Sequence, residues 1–240
     1  MSDDEYRPLV WNDDTIARFW RWQARYPEQY FAYQFGDRIA HGLRRYIDQG
    51  RRVLDYGCGM GFLSRHLTAF GADVWATDVS LDAVEATNAR NRGVAGFHGA
   101  RTLDEASASP ERFDRILSVE VIEHLDDEKL DEFFRRLREL LEPDGIVVIT
   151  TPNEENLEAS EVYCPCCEHV FHRWQHVRSF TSATLKERVV ENGLTVMETY
   201  VTDFSRRGIS GAVASIKSGA KKLIGRREHL PHLVCVATNR

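Results

Sequence analysis

The stretch Val53-Leu54-Asp55-Tyr56-Gly57-Cys58-Gly59-Met60-Gly61-Phe62-Leu63 constrains this chain most. An apolar run carrying an acid, Asp55, leads straight into three alternating glycines. Such a run reads as a buried strand turning into a helix, with Gly57, Gly59 and Gly61 permitting positive φ and letting a ligand approach bare backbone. A second apolar run, Val74-Trp75-Ala76-Thr77, ends in Asp78. In a βαβ unit an acid at that point can accept hydrogen bonds from both ribose hydroxyls of a nucleoside. The G-x-G-x-G spacing differs from the dinucleotide fingerprint, which lays pyrophosphate on a helix N-terminus and needs no preceding acid. Asp55 instead suits a cofactor with a cationic amino-acid tail. The bland alternative is a doubly wound domain with tight turns and no ligand.

At this point the chain resembles the class I S-adenosylmethionine-dependent methyltransferases. Residues 55–61 look like their first motif and Thr77-Asp78-Val79 like their second. The resemblance implies S-adenosyl-L-methionine as cofactor, with Asp55, Gly57, Cys58, Gly59, Gly61, Asp78, Val79 and Glu120 around it. It is strong over 51–151 and looser over the two terminal strands, and it implies seven strands with the last antiparallel. One departure stands out. Family members often carry an acid after the third strand, against the adenine amino group, whereas Gly96-Phe97-His98-Gly99-Ala100-Arg101 offers none before Asp104. Backbone groups or Asp104 would hold the adenine.

Apolar and polar runs alternate along the chain in a strand–helix rhythm. Strands are predicted near 52–57, 73–79, 95–98, 113–119, 145–151, 194–203 and 232–238, and helices near 61–70, 81–91, 127–141 and 181–192. This alternation predicts an α/β, Rossmann-like, doubly wound sheet, mainly parallel, with helices on both faces. Residues 1–50 are helical in character and rich in aromatics, including Phe19, Trp20, Tyr30 and Phe31. They read as an N-terminal helical lid segment, as packing on the sheet edge, or as both. Residues 51–240 then form the methyltransferase domain, with a Cys/His insert at 160–178 and a basic amphipathic insert at 205–230. The 240 residues suffice for one domain with appendages, and no apolar run reaches the ~20 residues of a membrane span. Met1-Ser2-Asp3-Asp4-Glu5 lacks the basic start of a signal peptide, so a cytoplasmic location is expected. The net charge of −6 disfavours a broad nucleic-acid footprint.

After the fourth core strand comes Glu120-Val121-Ile122-Glu123-His124. Glu120, Glu123 and His124 stand at i, i+3 and i+4, and a helical turn would set them on one face. Two carboxylates and an imidazole at a substrate edge can bind a divalent cation or supply a general base; equally, the acids can cap the next helix while the imidazole packs. The segment resembles two groups of O-methyltransferases: one acts on polyprenylated phenols in ubiquinone biosynthesis, the other methylates the 3′-terminal 2′-hydroxyl of small RNAs. In both, the segment is implicated in holding a metal near the acceptor oxygen. The RNA group places a further His after a Thr-Pro-Asn turn. Here Thr151-Pro152-Asn153 is followed by His176, its natural counterpart. The resemblance therefore casts Glu120, Glu123, His124 and His176 as the acceptor-side catalytic set.

Cys164-Pro165-Cys166-Cys167 followed by His172 and His176 spells C-x2-C-x4-H-x3-H. This spacing, near that of zinc knuckles, suits tetrahedral zinc held by Cys164, Cys167, His172 and His176. The alternative is a cluster of reduced thiols in a substrate loop. His176 cannot serve both zinc and acceptor; His169 could replace it at zinc, or both ligand sets could share one site. Residues 205–227 carry seven Lys and Arg and no acid, with Ile209, Val213, Ile216, Ala220 and Leu223 at helical spacing. Such a segment can dock on an anionic membrane or phosphates, or pack on the sheet with its charges solvated. Taken together, these features predict methyl transfer to the oxygen of a small-molecule or lipid-linked acceptor, with possible peripheral membrane contact. Two alternatives stand beside it: an RNA 3′-end 2′-O-methyltransferase, and a non-catalytic cofactor-binding subunit that activates a partner.

Overall fold

A computed structural model describes residues 6–206 and 230–240. The basic segment predicted at 205–230 falls almost wholly outside the described residues, and with it the membrane-contact expectation. Among the described residues no helix is long and apolar enough to cross a membrane.

Seven strands form one sheet: β2 (Arg52–Tyr56), β3 (Asp73–Asp78), β4 (Phe97–Thr102), β5 (Phe113–Val119), β6 (Leu141–Pro152), β9 (Thr195–Thr202) and β10 (His232–Thr238). Their order is β4-β3-β2-β5-β6-β10-β9. β2 to β6 pair in parallel, and β10 runs antiparallel to both β6 and β9. The order reverses between β2 and β5, and in open α/β sheets the carboxyl ends at such a point hold the ligand crevice. Every loop with a predicted site residue from 55 to 124 leaves a strand at this edge.

Alternate residues of each strand enter opposite layers. Leu54, Ile116, Val147 and Cys235 join the core beneath α6 (Asp127–Leu140) and α7 (Ser182–Glu191). Val53, Leu117, Val148 and Val234 join the core beneath α2 (Phe31–Gly42) and α3 (Ser64–Thr68). α6 shows why the sequence folds so. Asp126 caps its N-terminus through the Lys129 amide, and Asp127 and Glu128 lie in its first turn. Leu130, Phe133, Phe134 and Leu137 recur at helical spacing and are fully buried or nearly so, each contributing roughly 1.5–3 kcal/mol.

Four differences from the sequence reading matter. The helix predicted at 61–70 is the shorter α3. β4 runs on to Thr102, because Gly99–Thr102 pair in parallel with Trp75–Asp78. Thr102 then caps an unpredicted helix, α5 (Leu103–Ala108), in a capping box with Glu105. Finally, the Cys/His insert is part of a second small sheet. There β7 (Glu161–Tyr163) and β8 (His169–His172) form an antiparallel pair, and β1 (Arg7–Pro8) adds in parallel to β8. The N-terminal segment is thereby tied at both ends: α1 (Asp13–Gln23) follows β1, and α2 sinks Ile39 and Ala40 into the core.

Candidate functional site

The donor side is built from backbone. Gly57, Gly59 and Gly61 all have positive φ, but they do different jobs. A Cβ on Gly57 would lie 2.6 Å from Val121, and one on Gly61 2.7 Å from Thr87, so the chain itself needs both glycines. A Cβ on Gly59 would meet nothing nearer than Tyr30 at 3.6 Å. Gly59 is therefore the point where a ligand can reach bare backbone. Its N–H donates to Asp78 Oδ2 at 2.9 Å, while Ser80 N–H donates to Oδ1 at 2.9 Å. Each oxygen keeps a second lone pair, which leaves Asp78 able to accept from two ribose hydroxyls. Burial raises the Asp78 pKa against the pull of these backbone donors. Beside it, Val79 is 78% exposed and Leu81 59%. They present bare apolar surface, suited to the face of a nucleobase.

Two predicted donor residues turn inward. Asp55 lies beneath the glycine turn, accepts from Ser64 Oγ at 2.6 Å, and is pushed up to about 7 by burial. The Cys58 side chain is buried against Thr87, its thiol 3.5 Å from the Thr87 hydroxyl, and burial pushes its pKa up. Asp104, one option for adenine, is instead ion-paired to Arg136 at 2.9 Å on α6. Tyr30, which the sequence reading did not place in the site, stands against Asp78 and Gly59. Burial and that neighbouring carboxylate raise its phenol to about 12.

The acceptor side is built from side chains. Glu120 takes a left-handed conformation at φ 54°, a cost of order 1–3 kcal/mol that marks functional sites. This break removes the expected helical turn; only Ile122–His124 coil, as a short 3-10 turn. Adjacent residues of β6 hold the two acids instead. Thr150 Oγ1 donates to Glu120 at 2.8 Å and Thr151 Oγ1 to Glu123 at 3.1 Å. Burial raises Glu120 to about 7 and Glu123 well above its usual range, where the Glu120 charge adds to the effect. Burial lowers His124 to about 3, with His176 as a secondary cause.

His176 arrives from 52 positions downstream because its loop is stitched to the 122–125 turn. Val177 N–H donates to Glu123 O at 2.9 Å, and Gln175 Nε2 donates to His124 O at 3.0 Å. The rings of His124 and His176 meet edge to face at 4.8 Å. Glu123, His124 and His176 each bring a ligand atom within 4.8 Å of the others. Glu123 Oε1 is buried there with no hydrogen-bond partner. A buried carboxyl oxygen left without a partner beside two imidazoles fits a divalent cation, whose charge would favour the ionised form of Glu123 that burial otherwise opposes. Glu120 lies outside this trio. Trp20, from α1, closes the site: its Nε1 donates to Gln175 Oε1 at 3.0 Å, and its ring stands edge-on to His124 at 5.1 Å.

The four-ligand zinc set of Cys164, Cys167, His172 and His176 is not assembled. Among the described residues, neither group of three potential ligands within mutual reach contains a cysteine; they are Glu123–His124–His176 and Glu155–His172–His176. The register of the hairpin explains this. Cys164 pairs with His169 at the tip, with Cys166 and Cys167 exposed, whereas His172 pairs with Glu161 at the far end and is buried. Three strand residues span about 10 Å. His169, the substitute ligand, stays at the exposed tip, its Nδ1 2.8 Å from Cys167 O. Glu155, 2.6 Å from His176, is the site neighbour that sequence reasoning missed. It sits two residues beyond the Thr151-Pro152-Asn153 turn, which was the available signal.

Known proteins share this fold. A methyltransferase-domain family model matches residues 22–199. A ubiquinone biosynthesis O-methyltransferase of Azorhizobium caulinodans is 38% identical over 107 residues, 44% of this chain and 42% of that protein. One from Rhizobium johnstonii is 29% identical over 158 residues, 62% of each. The chain thus matches about half the length of these curated relatives. Among solved structures, the fold is similar to a complex between the Haloferax volcanii Trm112 methyltransferase activator and a methyltransferase, with TM-score 0.65, 18% identity, and 96% and 99% of the two chains covered. It is similar also to an S-adenosylmethionine-dependent methyltransferase of Clostridium acetobutylicum, with TM-score 0.60, 13% identity, and 94% and 98% covered. With the glycine turn, the ribose acid and the antiparallel last strand all in place, the chain belongs to the class I S-adenosylmethionine-dependent methyltransferase family.

Proposed function

We propose that this protein methylates the hydroxyl of a phenol-type small molecule or lipid-linked acceptor, with a divalent cation held by Glu123, His124 and His176. The convergence of those three groups beside the unpaired Glu123 Oε1 carries the reading. Bound at this site, S-adenosylmethionine would supply an electrophilic methyl and leave as the neutral thioether, and a cation held by the trio would lower the acceptor hydroxyl's pKa as a Lewis acid. The protein's own work is alignment, and the hydroxyl proton, made acidic by the cation, would leave to solvent. Asp78 and the Gly59 backbone hold the donor's nucleoside, and Tyr30 covers it. With burial lowering its pKa to about 3, His124 stays neutral at physiological pH and offers a lone pair at the acceptor edge. Trp20 walls the acceptor side against His124, and Phe19 and Trp11 pack in a row behind it. Flat apolar walls suit an aromatic ring, and they make the N-terminal segment a lid over the site. The likeness to the ubiquinone-biosynthesis enzymes supports a phenolic acceptor.

The test is methyl transfer by the full chain to a catechol bearing a short prenyl group, after chelation and with Mg2+, Mn2+ or Zn2+ restored. Metal-restored formation of the methyl ether is expected. Turnover with amines or an RNA 3′ end and none with phenols would overturn the acceptor. Full activity after chelation would overturn the cation.

A further inference from the structure

His172 has the spacing of a metal ligand, but its surroundings give it another task. Its Nδ1 accepts two backbone N–H groups, from Trp174 at 3.3 Å and His176 at 3.2 Å. A ring nitrogen that accepts carries no proton, so neutral His172 keeps its proton on Nε2. A protonated Nε2 is a donor and cannot ligate a metal. The trio Glu155–His172–His176 is therefore not a second cation site, although its atoms lie within reach of one another.

That Nε2 is buried and makes no hydrogen bond, and Glu155 Oε1 lies 3.5 Å from it. The other oxygen of the same carboxylate, Oε2, is 2.6 Å from His176 Nδ1. The two imidazoles stack at 4.4 Å and 18°. The backbone is shaped to make this arrangement. Glu154, at φ 50°, donates its N–H to Phe180 O and turns Glu155 inward; Gln175, at φ 62°, lets the chain double back between the two histidines.

We propose that Glu155 is a positioning residue, with the His172 Nε2–H facing one oxygen at 3.5 Å and the other oxygen accepting the Nδ1–H of His176. It thereby fixes the His176 tautomer whose Nε2 lone pair is free for the Glu123–His124 cluster. A carboxylate behind a histidine fixes both tautomer and ring orientation, and loss of such a partner typically costs 10–100-fold in metal affinity or activity. The functional consequence rests on the acceptor-site reading above, but the tautomer does not.

Long-range 1H–15N correlation spectra of the full chain labelled in histidine decide the matter, with assignments from His172→Phe and His176→Phe. In the wild type, His176 is expected with its proton on Nδ1 and His172 with its proton on Nε2. In Glu155→Ala, His176 should shift toward the Nε2–H form; Glu155→Gln, whose amide oxygen still accepts, should keep Nδ1–H. With an acceptor in hand, kcat should fall at least tenfold in Glu155→Ala and recover in part in Glu155→Gln, while affinity for S-adenosylmethionine stays within twofold. A proton on His176 Nε2 in the wild type, or an unchanged tautomer in Glu155→Ala, overturns the proposal. Should Glu155→Ala not fold, the wild-type and Glu155→Gln spectra decide alone. If no phenol is methylated, the acceptor reading fails but these spectra stand.

Discussion

The two halves of the site are made in opposite ways. The donor half comes from one continuous strand–turn–helix plus the next strand's terminal acid, and its geometry is mostly backbone. The acceptor half joins side chains from the loops after β5, β6 and β8, held by hydrogen bonds to strand β6 or to one another's loops. A backbone site tolerates change at side chains that merely line it but not at the residues that shape it. A side-chain site has fewer spare positions, because its members also hold one another in place through hydrogen bonds.

Six substitutions sharpen that contrast, from the largest effect to the smallest. His124→Ala should lower turnover by about 10²–10⁴-fold, the usual range for losing a positioned proton-transfer or ligand group. Calorimetry should show its affinity for S-adenosylmethionine within twofold of wild type. A joint loss of both would mean the halves are not separable. Gly57→Ala should destabilise the fold by about 3 kcal/mol, through a positive φ and a 2.6 Å clash with Val121. Gly59→Ala should leave a more stable protein than Gly57→Ala while still weakening cofactor binding. Urea midpoints and binding isotherms of the two variants test this directly.

Asp55 of the donor half and His124 of the acceptor half should answer to pH with opposite sign, while Glu120 and Glu123, raised by burial, share the sign of Asp55. Burial raises Asp55 from 3.8 to about 7, so the stability linked to it is present at low pH and lost as pH rises through 7. Burial lowers His124 from 6.5 to about 3, so its share is present above 6.5 and lost as pH falls toward 3. Each slope is bounded by about 1.4 kcal/mol per pH unit for one proton. In metal-free apoprotein, Asp55→Asn should flatten the stability profile between pH 4 and 7, and His124→Phe between pH 3 and 6.5. Unchanged profiles would show that neither group feels the burial seen here. The smallest effect is expected from Val79→Ser. Losing an exposed apolar contact should cost about 1 kcal/mol, or roughly fivefold in cofactor Kd, with no change in melting temperature.

Much of this molecule was legible in its sequence for a reason of range. Most large-sheet strands were visible as short apolar runs, and the glycine turn as glycines at fixed spacing. Local steric rules act within a few residues, so reading them needs no partner. What escaped notice depended on pairing. β4 extends through Gly99 only because β3 lies alongside, and α5 is six residues with a cap rather than a periodic pattern. Glu120, Glu123 and His124 were singled out correctly as neighbours, but through a helical turn that the φ of Glu120 abolishes. Two threonines of β6 do that work instead.

The histidine-rich insert marks the boundary most clearly. Spacing alone marked Cys164, Cys167, His172 and His176 as residues of metal-ligand type, and the glycine turn and Asp78 as residues of nucleoside-site type. Spacing could not decide which histidine serves which group. Only the tertiary structure did so: hairpin register sends the cysteines to an exposed tip and His172 inward, and the hydrogen bond from Val177 to Glu123 brings His176 to the acceptor edge. The physical reason is that a backbone turn closes within its own residues, whereas a ligand set is defined by distances across loops that no local rule reaches.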